Sequence, residues 1–306
     1  MESQRLANFI IGGTEKAGTT SVFVYLSTHP EVCSSVNKET DFFREDFCGD
    51  TEKDMQFYSK YFSRCNESIP IVMEASPGYL GEAVKVVPRM VNMVPDVKLL
   101  FILRDPIERL YSSFNFHVAK LDIPSSLSFA EYVHKCLTYD RGEQSARELG
   151  LNDWYLKTLA FGRYAESLKL YYDHFPRNQI KVMFFEQLKD DVVSFMHELS
   201  DFLGIDARIW DTYEFSKENV TFSGKNKLLH RVAMRANTML EPLLRRNPSL
   251  KHAIVRQYKR FNQAREGYDP MSDNVRQELE AYYRPFNTEL AEILGNNSVL
   301  PWSGHS

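Results

Sequence analysis

Short, continuously apolar runs alternate along this chain with longer stretches whose apolar residues recur at helical spacing. LANFIIGG, IPIVMEASP, DVKLLFILRDP and NQIKVMFFEQL are the main apolar runs, and EVCSSV is a shorter one. Runs of this length, bounded by Gly, Pro or Asp, read as strands buried on both faces. Between them TTSVFVYLSTH, DMQFYSKYF, GEAVKVVPRMVNMVP, PIERLYSSFNFHVAK and DVVSFMHELSDFLGI read as helices. Pro30 stops the first of these, Pro88 interrupts the third, and Pro106 opens the fourth, where a first-turn proline costs no hydrogen bond. Further helices are predicted over 127–139, 153–174 and SDNVRQELEAYYRPFNTELAEIL, with a polar loop over 206–226. Strands alternating with helices predict an α/β fold: a central parallel sheet, helices on both faces and a helical C-terminal portion. No repeat, low-complexity tract or linker cuts the chain, so residues 1–306 are read as a single domain.

Composition narrows the function. The 306 residues are 43% hydrophobic and 13% aromatic, enough for a sizeable core. A formal net charge of -4 gives no bulk reason to expect nucleic acid as a partner, so any anion site must be local. No apolar run reaches the ~18 residues of a membrane span, and the N-terminus MESQRLA lacks an apolar signal region. Both features point to a cytoplasmic protein. Of the four cysteines, Cys33, Cys48, Cys65 and Cys136, none forms a C-x-x-C pair or sits near a histidine at zinc-site spacing. They are read as reduced thiols, with a Cys48–Cys65 disulfide as the alternative.

Two stretches carry candidate chemistry. In FIIGGTEKAGTTSVFVYL a strand runs into glycines and then into hydroxyl residues that open a helix. Such a turn aims backbone N–H groups and the positive end of the helix at one point. The nucleotide loop G-x-x-x-x-G-K-[ST] is nearly matched, but Thr19 stands where the lysine belongs and Lys16 lies inside the loop. Gly18 permits close approach of a ligand, Thr19, Thr20 and Ser21 add hydroxyls, and Lys16 adds a cation. In KLLFILRDPIERLYSSF, Arg104 leaves the strongest strand and Ser112 follows eight residues later. Ligands of open α/β sheets bind at the carboxyl ends of strands, so Arg104 is placed to grip a second phosphate. The alternative is a salt bridge from Arg104 to Asp105 or Glu108.

Together these stretches resemble the 3′-phosphoadenosine 5′-phosphosulfate (PAPS)-dependent sulfotransferases, in particular the soluble bacterial members and the heparan-sulfate branch. TEKAGTTS resembles the 5′-phosphosulfate loop, and ILRDPIERLYSSF the 3′-phosphate motif. KETDFF, MEASPGYL, GRYAESLKLYYDHFPRNQIKVMFFEQL and LEAYYRPFNTELAEILG resemble supporting family segments. The resemblance implies that Lys16, Ala17, Gly18, Thr19, Thr20 and Ser21 hold the phosphosulfate, with Lys16 on the bridging oxygen. It implies that Arg104 and Ser112 hold the 3′-phosphate, and that Lys225 and Lys227, in FSGKNKLLHR, form a late basic loop over it. Glu39 corresponds to the family's base. Asp41 replaces the usual histidine and shares or takes over that role, and His117 is the other candidate base. Ala75 replaces a lysine of the heparan-sulfate branch. Implied are PAPS as co-substrate, adenosine 3′,5′-bisphosphate as product, no metal and a small-molecule acceptor. The competing readings are a P-loop kinase and a catalytically inactive nucleotide-binding module.

Overall fold

The five apolar runs form strands β1 (Phe9–Gly13), β2 (Val32–Ser34), β3 (Ile71–Ala75), β4 (Lys98–Leu103) and β5 (Ile180–Phe184) in a computed structural model that describes residues 5–45, 51–216, 271–295 and 299–303. All pairings are parallel, in the order β2-β3-β1-β4-β5. The chain leaves β1 for the far edge, returns through β3, then crosses β1 to reach β4. The order therefore reverses at β1, and the crevice beyond its carboxyl end is where ligands of such sheets bind.

The chain divides into two compact units. The first holds the sheet. Alternate strand residues serve two cores, as a sheet buried on both faces requires. Ile10, Val72, Leu99 and Phe101 pack with Val86 and Met90 of helix α3 (Ala83–Met93) and with Leu168 and Tyr171 of α8 (Tyr164–His174). Ile11, Met73, Leu100 and Ile102 pack with Val22 of α1 (Thr19–Leu26) and with Phe195 and Leu199 of α10 (Val192–Leu203). Each such side chain contributes about 1.5–3 kcal/mol by leaving water, which makes the strand ends a firm platform for the loops. Among the remaining helices of this unit are α2 (Thr51–Ser59) and α9 (Phe185–Asp190). The long α11 (Asp273–Leu294) is the predicted last helix.

The second unit includes Tyr111–Lys157. It takes the end of α4 (Pro106–Ala119) and holds α5 (Phe129–Asp140). Ser128 and Glu131 close a capping box at the start of α5. Phe114 packs against Phe129 and Tyr132, and Tyr132 donates to the Tyr155 carbonyl at 2.6 Å.

Three expectations are revised. Helix 153–174 is broken into α7 (Asp153–Lys157), a 3-10 turn over Ala160–Gly162, and α8. Tyr283 donates to the Leu159 carbonyl at 2.7 Å, taking an acceptor that a continuous helix would use. Pro88 does not interrupt α3, which runs through it. Proline removes the bond to the carbonyl four residues back, and that residue, Val84, is 80% exposed, so water can serve the carbonyl. The cysteines are not all reduced: Cys33 of β2 is bonded to Cys65, with Cα atoms 5.5 Å apart. Their 32-residue separation in sequence carried no sign of that approach. Cys48 lies outside the described residues. None of the described helices is long and apolar enough to cross a membrane.

Candidate active site

At the end of β1 the chain turns through Lys16 and Gly18 into α1. Gly18 has φ 80°, and a Cβ there would stand 2.6 Å from Leu188 Cδ2, so only glycine fits. The first-turn N–H groups of α1 have no acceptor within the helix and face the sheet's carboxyl edge. Lys16 also adopts a left-handed backbone, φ 66°, although it carries a side chain. Arg104, at the end of β4, donates from Nη1 to the Lys16 carbonyl at 2.9 Å. Its guanidinium lies 4.8 Å from the centroid of the Phe185 ring, and Tyr164 donates to its carbonyl at 2.9 Å. Burial pulls its pKa down, against the opposing pull of Glu108 and Glu186. The structure thus joins Lys16, Ala17, Gly18, Thr19, Thr20, Ser21 and Arg104 at one edge. Asp105 is otherwise engaged: its carboxylate accepts from Ile107 N at 2.8 Å and caps α4.

A second group gathers at the end of β3. Glu39 donates its N–H to the Ala75 carbonyl at 2.8 Å, and Asp41 donates its N–H to Ser76 Oγ at 3.1 Å. Both residues are left-handed, with φ 63° and 49°. Each such backbone costs on the order of 1 kcal/mol, and outliers of this kind collect at functional sites. Besides these two and Lys16, Leu121 is the one other non-glycine residue of positive φ among those described. The Glu39 carboxylate pairs with Lys38, an exposed contact of small energy. Asp41 pairs with Arg44 at 3.0 Å.

Between them, Thr40 donates its hydroxyl to the Glu74 carboxylate. Glu74 is 0% exposed, and burial pushes its pKa up to about 7 despite hydrogen bonds that pull the other way. The folded state therefore binds more protons than the unfolded chain between the ordinary carboxyl pKa of 4.5 and about 7. Stability falls as pH rises through that window, by at most about 3 kcal/mol. Glu74→Gln, which cannot ionise, is expected to flatten this decline in thermal melts between pH 5 and pH 8. A variant whose melting temperature tracks the wild type at every pH would contradict the assignment.

In the second unit, Ser112 is half-buried in α4. His117 is buried, with Nδ1 3.0 Å from Asp122 Oδ2 and its ring 4.7 Å from that of Tyr155. Lys225 and Lys227 lie outside the described residues. Sequence reasoning missed Thr40, Ser76, Tyr79 and Phe185. The stretch MEASPGYL held the only usable signal, a glutamate placed at a strand end.

A sulfotransferase domain family model matches residues 6–231, well over half of the chain. Heparan sulfate glucosamine 3-O-sulfotransferase 3A1 of Mus musculus is 26% identical over 99% of this chain and 66% of its own length. Bifunctional heparan sulfate N-deacetylase/N-sulfotransferase 3 of Homo sapiens is 26% identical over 95% of this chain and 30% of its own length. The chain thus spans less than two thirds of the length of these curated relatives. The crystal structure of a sulfotransferase from Alicyclobacillus acidocaldarius superposes with a TM-score of 0.63 at 25% identity, covering 96% of this chain and 98% of that one.

Proposed function

This chain belongs to the sulfotransferase domain family, and we propose that as a single catalytic domain it moves the sulfuryl group of PAPS to a hydroxyl or amine of an acceptor. The observation that carries the reading is the setting of Lys16. It stands inside the loop rather than after it, on a left-handed backbone at the head of α1, with its carbonyl held by Arg104. The bound co-substrate supplies a sulfuryl group on a phosphate that departs as adenosine 3′,5′-bisphosphate. The residues suit such a ligand. The first-turn amides of α1, Thr19, Thr20 and Ser21 hold the 5′ end, where a helix N-terminus favours anions. For the 3′-phosphate the proposed ligands are Arg104 and Ser112, with Lys225 and Lys227, each carried over from the family's motifs. Lys16 neutralises charge on the departing phosphate. Glu39 removes the acceptor's proton, with Asp41 beside it; His117 is the alternative base.

The acceptor is a neutral or cationic small molecule. Position 75, a lysine in the heparan-sulfate branch, here offers a fully buried methyl group packed in the core. The names of the relatives favour a second reading, glucosamine units of heparan sulfate. Mass-shift assays with heparan sulfate oligosaccharides and a panel of small alcohols, phenols and amines separate the two.

Adenosine 3′,5′-bisphosphate is expected to raise the melting temperature in metal-free buffer. Saturation to 100 times the dissociation constant adds about 2.7 kcal/mol. A folded protein stabilised by Mg-ATP and not by the bisphosphate would turn the reading to a kinase. Binding without product from labelled PAPS, across the panel, would leave an inactive module. Arg104→Ala is expected to weaken bisphosphate binding by about tenfold to a hundredfold, the loss of one hydrogen bond to a charged group. Calorimetry showing unchanged affinity would refute the assignment of Arg104.

A further inference from the structure

We propose that Glu74 is a positioning residue: through Thr40 it holds the Lys38–Asp41 loop in the conformation that presents Glu39 and Asp41 at the carboxyl end of β3. The proposal rests on the sulfuryl-transfer reading only for the roles of Glu39 and Asp41; the hold itself is a matter of geometry. Two left-handed residues flank Thr40, with φ 63° at Glu39 and 49° at Asp41. Neither is glycine, so the conformation persists only where contacts impose it. Those contacts are few and convergent. Glu39 N–H is held by the Ala75 carbonyl, Asp41 N–H by Ser76 Oγ, and Phe43 N–H by the Tyr79 hydroxyl at 3.3 Å. All three partners belong to the end of β3 or the turn after it. Thr40 Oγ1 also lies 3.4 Å from the Tyr79 hydroxyl and Asp41 pairs with Arg44, but the bond from Thr40 to Glu74 is the one that joins the loop's centre to a charged group.

A carboxylate buried at 0% exposure is a costly way to accept neutral hydroxyls. Its second oxygen, Oε1, is buried without a hydrogen-bond partner, as is the hydroxyl of Tyr58. The groups facing it are Thr40 and Asp41 from the loop, Tyr79 from the turn after β3, and Tyr58 and Tyr61 from α2 and the turn that follows it. None of these is a cation. A core residue chosen for stability alone would be apolar here. The position instead makes the loop's anchor depend on ionisation: a carboxylate accepts the Thr40 hydroxyl more strongly than the protonated acid does. With the titration centred at about 7, a local opening that parts Thr40 from Glu74 and leaves the carboxyl buried is resisted more above neutral pH than below it, whereas global unfolding, which solvates the carboxyl, is resisted less.

Amide hydrogen exchange of residues 39–43 tests this without any substrate. Protection, corrected for intrinsic exchange, is expected to be about tenfold higher at pH 8 than at pH 6, the step of one stronger hydrogen bond. Glu74→Gln is expected to abolish the pH dependence. Thr40→Val is expected to lower protection at pH 8, and Thr40→Ser, which restores the hydroxyl, to recover it. Melting temperatures identify variants that fail to fold, and Thr40→Ser keeps the test open if Thr40→Val is one of them. Unchanged protection in Thr40→Val, or pH dependence that survives in Glu74→Gln, would overturn the proposal. Binding of adenosine 3′,5′-bisphosphate, measured in the same samples, reports separately on the sulfuryl-transfer reading. Its absence from the wild type would remove the catalytic meaning of the loop and leave the exchange result standing.

Discussion

Lys16→Ala is expected to cut sulfuryl transfer by roughly 100-fold to 1,000-fold while weakening binding of the bisphosphate product far less. Charge grows on the leaving phosphate as the sulfur–oxygen bond breaks, and an ammonium poised there interacts more strongly with the transition state than with the ground state. Loss of one such donor typically costs a factor of this size in turnover. The protein prepares the position in advance: the lysine's backbone is left-handed and its carbonyl accepts from Arg104. Side-chain removal leaves both of those features in place, so nucleotide binding survives. Single-turnover rates with labelled PAPS beside calorimetric affinities make the comparison. Equal losses in rate and in product affinity would mean that Lys16 only binds.

Glu39→Gln is expected to lower turnover by about 100-fold or more with nucleotide affinity nearly intact, because it keeps the shape and removes the proposed base. It should also remove the acidic limb of the pH–rate profile. The left-handed Glu39 is exposed beside Lys38, a setting from which a carboxylate can reach an acceptor. His117 sits differently, buried and bonded to Asp122. Near-normal turnover in Glu39→Gln, together with its collapse in Asp41→Asn or His117→Ala, would move the base to one of those residues and leave the rest of the site untouched.

Much of the fold was legible because its determinants are local. Four of the strands are apolar runs with sharp polar ends, and the Gly-rich turn before α1 announces its conformation through Gly18. The break near Gly162 was not legible, since it depends on Tyr283, far along the chain. The candidate site divides the same way. Lys16 and Arg104 follow from their places beside strand ends. The importance of Thr40 does not: its partner Glu74 is 34 residues away, and a threonine between two acidic residues carries no signal of its own. Nor could the alternation of polar and apolar residues indicate which carboxyl has a displaced pKa. That depends on complete burial among phenols.

The Cys33–Cys65 bond encloses Glu39, Thr40 and Asp41 within its ring. The history of a protein preparation thereby becomes an enzymological variable. Material made in a reducing cytosol, or stored with thiol reagents, would carry the same sequence with that ring open, and the denatured chain would regain the freedom that the crosslink removes, typically about 2–4 kcal/mol. Batches with equal mass by gel would then differ in the stability of the fold that carries the acidic loop. A free-thiol count on every preparation, taken before any rate is compared, separates an effect of sequence from an effect of oxidation.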